Sequence, residues 1–159
     1  MTSLLPRRAL ASVLAAAVLG GAGSAYAAAS ASSHDDGHQR TIVLTEQTAE
    51  LKPIFVDLGK PGPSVGDRAV IRDGLLAQDG ADAGVLTQDC VLTDTAATVF
   101  ECTGSLALAD GTITVAGPFS PTAAEQPAAI TGGTGAFRSA RGEVVARAEA
   151  DEFVVRLAR

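Results

Sequence analysis

From Thr41 onward, apolar side chains recur at every second position, and Gly, Pro, Asp and Thr cut the pattern into short runs. Such alternation puts successive side chains on opposite faces of a pleated strand. No segment carries the spacing of an amphipathic helix. The pattern predicts strands over 41–48, 54–58, 67–77, 83–94, 97–109, 112–119, 127–131, 142–150 and 152–158. Many short strands with turn residues between them point to an antiparallel sandwich or barrel.

Three strands can be placed in register from their side chains. Asp110-Gly111 is a strong two-residue hairpin signal. Centred there, the turn pairs Leu108 with Ile113, Leu106 with Val115, Gly104 with Gly117 and Cys102 with Phe119. That face is apolar or glycine, and the opposite face carries Glu101, Thr103, Ser105, Thr112 and Thr114. If Cys90 and Cys102 lie opposite each other in the preceding hairpin, Leu92 meets Phe100, Gln88 meets Gly104 and Leu86 meets Leu106. The same face is again apolar apart from Gln88. A one-residue slip would invert every side chain, so the agreement carries information. It predicts a Cys90–Cys102 disulfide across the strands. A free pocket thiol is the alternative, but no basic neighbour is present to activate it. Gly104 facing Gly117 would give the wall sharp curvature or enlarge an interior pocket.

The N-terminal end changes the picture. Arg7 and Arg8 precede the small, apolar run Leu10–Gly23, and Ala25-Tyr26-Ala27 follows as an A-x-A site. Residues 1–27 therefore read as a secretory signal peptide, and the mature protein is expected outside the cell with no membrane segment. Residues 28–40 read as a flexible leader and 41–159 as the folded domain. Cleavage lowers the basic count from 12 to 10 against 18 acidic residues, a mature net charge of −8. An acidic chain without a basic patch is a poor partner for nucleic acid. The only tyrosine, Tyr26, leaves with the signal, so aromatic stacking sites for sugars or bases are also poorly supplied. Both histidines, His34 and His38, fall in the leader with Asp35 and Asp36. A solvated tail is the plainer reading of that group, and no metal or other cofactor is expected. A His-dependent triad in the domain is excluded unless the leader folds back.

The run Ile130-Thr-Gly-Gly-Thr-Gly-Ala-Phe137 has two readings. It looks like a dinucleotide-binding glycine turn, but that turn needs a following helix and a longer fold. Only 24 residues follow Gly135, and most alternate like strands. The other reading makes Gly132, Gly133, Gly135 and Gly142 a structural bend between strands.

That run, with Gly66-Asp-Arg-Ala69, Phe100-Glu-Cys-Thr-Gly-Ser-Leu106, Asp110-Gly-Thr-Ile-Thr-Val-Ala-Gly117 and Ala140-Arg-Gly142, resembles the allene oxide cyclase and dirigent families. The resemblance covers roughly Gly66 to Leu157. It implies an all-β, eight-stranded antiparallel (calycin-like) barrel with an apolar cavity, often assembled as a homo-trimer. Allene oxide cyclases close an unstable fatty-acid epoxide with a first-strand glutamate, an asparagine and a proline that help hold a water, and a pocket cysteine. Loosely aligned, Glu46 matches the glutamate, Cys90 the cysteine and Pro53 the proline. Thr48 stands where the asparagine would be. Dirigents steer the coupling of phenoxy radicals.

Two functions are carried forward. One is an exported barrel that binds a small hydrophobic metabolite, with or without isomerase or cyclase chemistry at Glu46. The other is a non-catalytic dirigent-like, structural or interaction barrel. The expected cavity lining is Leu86, Gln88, Leu92, Phe100, Gly104, Leu106, Ile113, Val115, Gly117 and Phe119. The alternation around Glu46 leaves its face open. Asp67, Arg68, Arg72 and Asp73 read as rim charges, and Arg138 and Arg141 as surface charges beside the glycine bend.

Overall fold

The computed structural model describes residues 39–47 and 53–158. The signal segment 1–27, leader residues 28–38 with both histidines, and Thr48 lie outside the described residues. Among the described residues nine antiparallel strands follow one another: β1 (Gln39–Gln47), β2 (Ile54–Val56), β3 (Arg68–Ala77), β4 (Asp82–Asp94), β5 (Val99–Leu108), β6 (Gly111–Phe119), β7 (Glu125–Gly133), β8 (Arg141–Arg147) and β9 (Glu152–Ala158). Gln39 and Arg40 belong to β1, because pairing with β9 extends to Gln39–Ala158.

The sheet closes. β9 pairs with β1, and β1 pairs with β3, so β1 and β3 to β9 form an eight-stranded barrel. β1 and β3 meet only from Leu44–Ala77 to Gln47–Gly74. Further along β3, the short β2 takes the same edge at Arg68–Val70. Two partners therefore share one edge of β3, and a seam falls between them.

The two-residue period sets the interior. Ile42 and Leu44, Leu75, Leu86, Leu106, Ile113 and Val115, Ile130, Val144, Phe153, Val155 and Leu157 pack into one core. A smaller cluster of Ala69, Cys90 and Cys102, with Phe100 and Phe119 against it, fills one end. The two phenylalanines meet edge to face at 6.3 Å between ring centroids, a favoured aromatic geometry. Cys90 and Cys102 are bonded and directly opposite, with Cα atoms 4.0 Å apart. Leu92–Phe100, Gln88–Gly104 and Leu86–Leu106 pair as the alternation predicts.

The β5–β6 register differs by two residues from the expectation. Leu108 pairs with Gly111, Leu106 with Ile113, Gly104 with Val115 and Cys102 with Gly117. The turn is centred on Ala109-Asp110, neither of which has positive φ. Gly111 enters the strand instead, where a Cβ would lie 2.2 Å from the Thr134 carbonyl. Both its φ of +145° and the close approach of another loop require glycine here. Consequently Gly104 and Gly117 do not face each other: Gln88 leans over Gly104, and Ala128 crosses Gly117.

The glycine-rich run ends β7 and leads into a single 3-10 turn over Gly135–Phe137. The next element is strand β8, so the strand–turn–helix of a dinucleotide site is not formed here. β7 carries a bulge opposite Thr114–Val115, which bends the strand. The loop turns back and buries Phe137 in the end of the core, with the Arg40 guanidinium 5.8 Å from its ring centroid. Arg138 and Arg141 are exposed, and Arg141 donates to the Ala140 carbonyl at 2.9 Å.

Candidate functional site

The barrel holds an internal cavity of about 40 Å³. Leu86, Gln88, Gly104, Leu106, Val115, Gly117 and Phe119 line it, together with Cys102, Gln126, Ala128, Val144, Ala146 and Phe153. Leu92, Phe100 and Ile113 do not line it, although they were expected to. Phe100 packs against the disulfide cluster at one end. Ile113 lies in the packed core, two positions from where the slipped register would put it. Leu92 is buried on β4 beyond Cys90. Gln126 is a polar lining residue that the alternation did not reveal. Its side-chain oxygen accepts from the Ser120 amide at 2.8 Å, which holds the β6–β7 connection over the cavity.

Glu46 stands in phase with Ile42 and Leu44, both buried in the core. Its side chain is therefore on the inner face, half-buried, and its amide donates to the Asp151 carbonyl at 2.7 Å. Asp73 was expected on the rim, but the structure buries it to 5% exposure. The reason is register. Asp73 pairs with inward-facing Leu86 and stands in phase with Leu75 and Ala77, whereas Arg72 stays exposed on the opposite face. The β3–β4 register could have signalled this. β3 alone could not, because Val70 and Leu76 supply apolar residues in the other phase.

These two carboxyls meet at the seam. Glu46 pairs with Leu75, one inward position from Asp73. Burial pushes the Glu46 carboxyl up from 4.5 to about 8, aided by a hydrogen bond and charge repulsion from Asp73 and by the Asp151 charge. It is thus protonated at neutral pH, an acid in an apolar surround. Asp73 Oδ1 is buried and has no hydrogen-bond partner among the described residues. Neither carboxyl lines the cavity, and only their strand neighbours reach it. Leu86 is the cross-strand partner of Asp73, Phe153 that of Leu44, and both line the cavity.

Cys90 is consumed by the disulfide and offers no pocket thiol. Pro53 is exposed. Asp67, by contrast, is a structural group of the β2–β3 loop. It accepts from the amides of Leu58 and Ser64, both at 2.8 Å, and these bonds hold its carboxyl below the usual range. Arg68 pairs with Asp89 on the outer wall. No group of metal-ligating side chains occurs among the described residues.

Residues 41–157 match the allene oxide cyclase barrel-like domain, and the chain belongs to that family. It is similar to a pyocyanin demethylase, with 30% identity over 74% of this chain and 97% of that one and a TM-score of 0.62. The fold is shared with a pterocarpan synthase dirigent protein at 19% identity, covering 75% of this chain and 85% of the other, TM-score 0.57. It is shared also with a Diels-Alderase from Streptomyces koyangensis at 20% identity, covering 78% and 71%, TM-score 0.57. No curated protein sequence matches.

Proposed function

We propose that this protein is an exported barrel that binds a small hydrophobic metabolite and isomerises or cyclises it by proton transfer at Glu46. The observation that carries this reading is a carboxyl, protonated at neutral pH, on the inner face of a barrel whose interior also holds an apolar cavity that this carboxyl does not itself line. Such an acid gives its proton to one atom of the ligand, and the carboxylate then takes a proton from another. The ligand's composition is unchanged, as an isomerisation requires. Similarity to a pyocyanin demethylase supports a small ring compound as ligand. The disulfide supports export, since such bonds persist in oxidising compartments. N-terminal sequencing of secreted protein should begin within four residues of Ala28; a retained Met1 would remove the signal peptide. Exposed Ile54, Phe55 and Val65 support the homo-trimer that the family resemblance implies, and a monomer by light scattering would exclude it.

Native mass spectrometry of protein purified from its own host should reveal a co-purified small molecule. Glu46→Gln should then abolish its turnover, a loss of about 10²–10⁴-fold, while affinity changes much less. Full activity of that variant would refute proton transfer at Glu46.

One observation favours the non-catalytic reading. A cavity of about 40 Å³ is far below the roughly 300–1,000 Å³ of ordinary ligand sites. A filled barrel would bind neither a host metabolite nor an added ring compound. Binding of either requires the Leu86 and Phe153 side chains to yield.

A further inference from the structure

Asp73 is the only charged side chain in the buried interior of the described residues. Its Oδ1 points inward and meets no donor there. A buried carboxylate oxygen without a donor costs about 1–3 kcal/mol or more, so the fold keeps this atom at a standing disadvantage. Groups of this kind in native proteins mark sites where something else supplies the hydrogen bond.

The surrounding charge narrows what that can be. Asp73 is next to Glu46, and Asp151 acts on Glu46 from the β8–β9 turn. Glu152, the partner of Thr45, stands in the outward phase of β9 and pairs there with Arg147 of β8 at 3.7 Å. Arg40, in phase with Glu46 on β1, is engaged elsewhere, its guanidinium 5.8 Å from the Phe137 ring centroid. Arg72 adjoins Asp73 in sequence but faces outward. Among the described residues the site therefore offers acceptors and a shared proton, and no cation for an anionic headgroup.

We propose that Asp73 is the docking acceptor of this site: it shares one proton with Glu46, and its Oδ1 receives an N–H or O–H from a neutral or cationic ring compound, excluding carboxylate-bearing ligands. The inference rests on the small-molecule reading above and deepens it. Glu46 holds its proton at neutral pH, so the acceptor offered to the interior is the unpartnered Asp73 Oδ1. A ligand donor there forms a charge-assisted bond, about twice as strong as a neutral one. A carboxylate ligand would instead meet like charge and lose its hydration without compensation. The site thus departs from the fatty-acid epoxide that the family resemblance implies, because a fatty acid carries a carboxylate at neutral pH.

Four small aromatic probes test this at pH 7 by calorimetry: toluene, indole, benzylammonium and benzoate. Indole and benzylammonium should bind at least tenfold more tightly than toluene, and benzoate should not bind. Asp73→Asn, nearly isosteric, should remove most of the gain for the two donors and leave toluene unchanged. Carbon-13 NMR of the glutamate side chains gives a readout that needs no ligand. In wild-type protein Glu46 should titrate near 8, and in Asp73→Asn its midpoint should fall by part of that rise, because burial, the larger cause, and the Asp151 charge remain. If toluene binds while the donor probes gain nothing, or benzoate binds equally well, the docking role is wrong and the small-molecule reading survives. If no probe binds, both are wrong. A Glu46 midpoint that ignores Asp73→Asn refutes the shared proton. Should the variant fail to fold, the wild-type ranking of the four probes still decides.

Discussion

Glu46→Gln should make the barrel more stable at pH 8 and change it little at pH 5. The sign follows from the raised carboxyl. In the unfolded chain Glu46 releases its proton near 4.5, whereas in the fold it holds that proton to about 8. Below 4.5 both states are protonated, and the neutral acid contributes its full hydrogen bonding. Between 4.5 and 8 the unfolded state ionises first, so native stability falls as pH rises. Above 8 the loss is complete. The whole shift corresponds to about 5 kcal/mol at ~1.4 kcal/mol per pH unit. Glu46 is only half-buried, and solvent screening reduces that to about 2 kcal/mol. Glutamine keeps the shape and cannot ionise, so its curve lacks this fall. Urea unfolding of both proteins at pH 5, 6.5 and 8, followed by far-UV circular dichroism, measures the difference directly. Subtracting the two curves removes the titrating groups that do not interact with Glu46, leaving its own contribution and its coupling to Asp73 and Asp151. Parallel curves across that range would show that Glu46 is solvated as an ordinary glutamate, and the acid reading of the site would fail with it.

The disulfide closes a loop with a sequence separation of 12, for which loop entropy predicts about 3 kcal/mol; changing both cysteines to serine should lower stability by no more than that and keep the fold, as denaturant melts would record. The four glycines of the bend should not respond alike. Gly142→Ala puts a Cβ 1.9 Å from the Arg156 carbonyl at φ +129° and should cost at least about 2 kcal/mol. Gly132→Ala meets only the Thr114 hydroxyl at 3.4 Å and should stay within about 1 kcal/mol; equal melting temperatures for the two variants would contradict the packing described.

How far the chain could be read without its fold depends on the kind of information each feature needs. Alternation is local, so it located all nine strands and put Leu86, Leu106 and Val115 on one face. The cysteines fixed the β4–β5 register, because two residues that must bond allow one alignment. No such anchor existed between β5 and β6. A slip of two residues keeps every side chain on its face, so the apolar pattern could not tell Leu106–Val115 from the actual Leu106–Ile113. Gly111 misled the turn assignment because its glycine answers to Thr134, 23 residues away. The site was hidden for a related reason. Glu46 and Asp73 sit on strands whose own sequences leave their faces ambiguous, and they meet only because β1 closes against β3. Closure is a long-range event that no short segment encodes. It turned Asp73 from an expected rim charge into a buried one, and the packing of many side chains around it left a cavity of about 40 Å³.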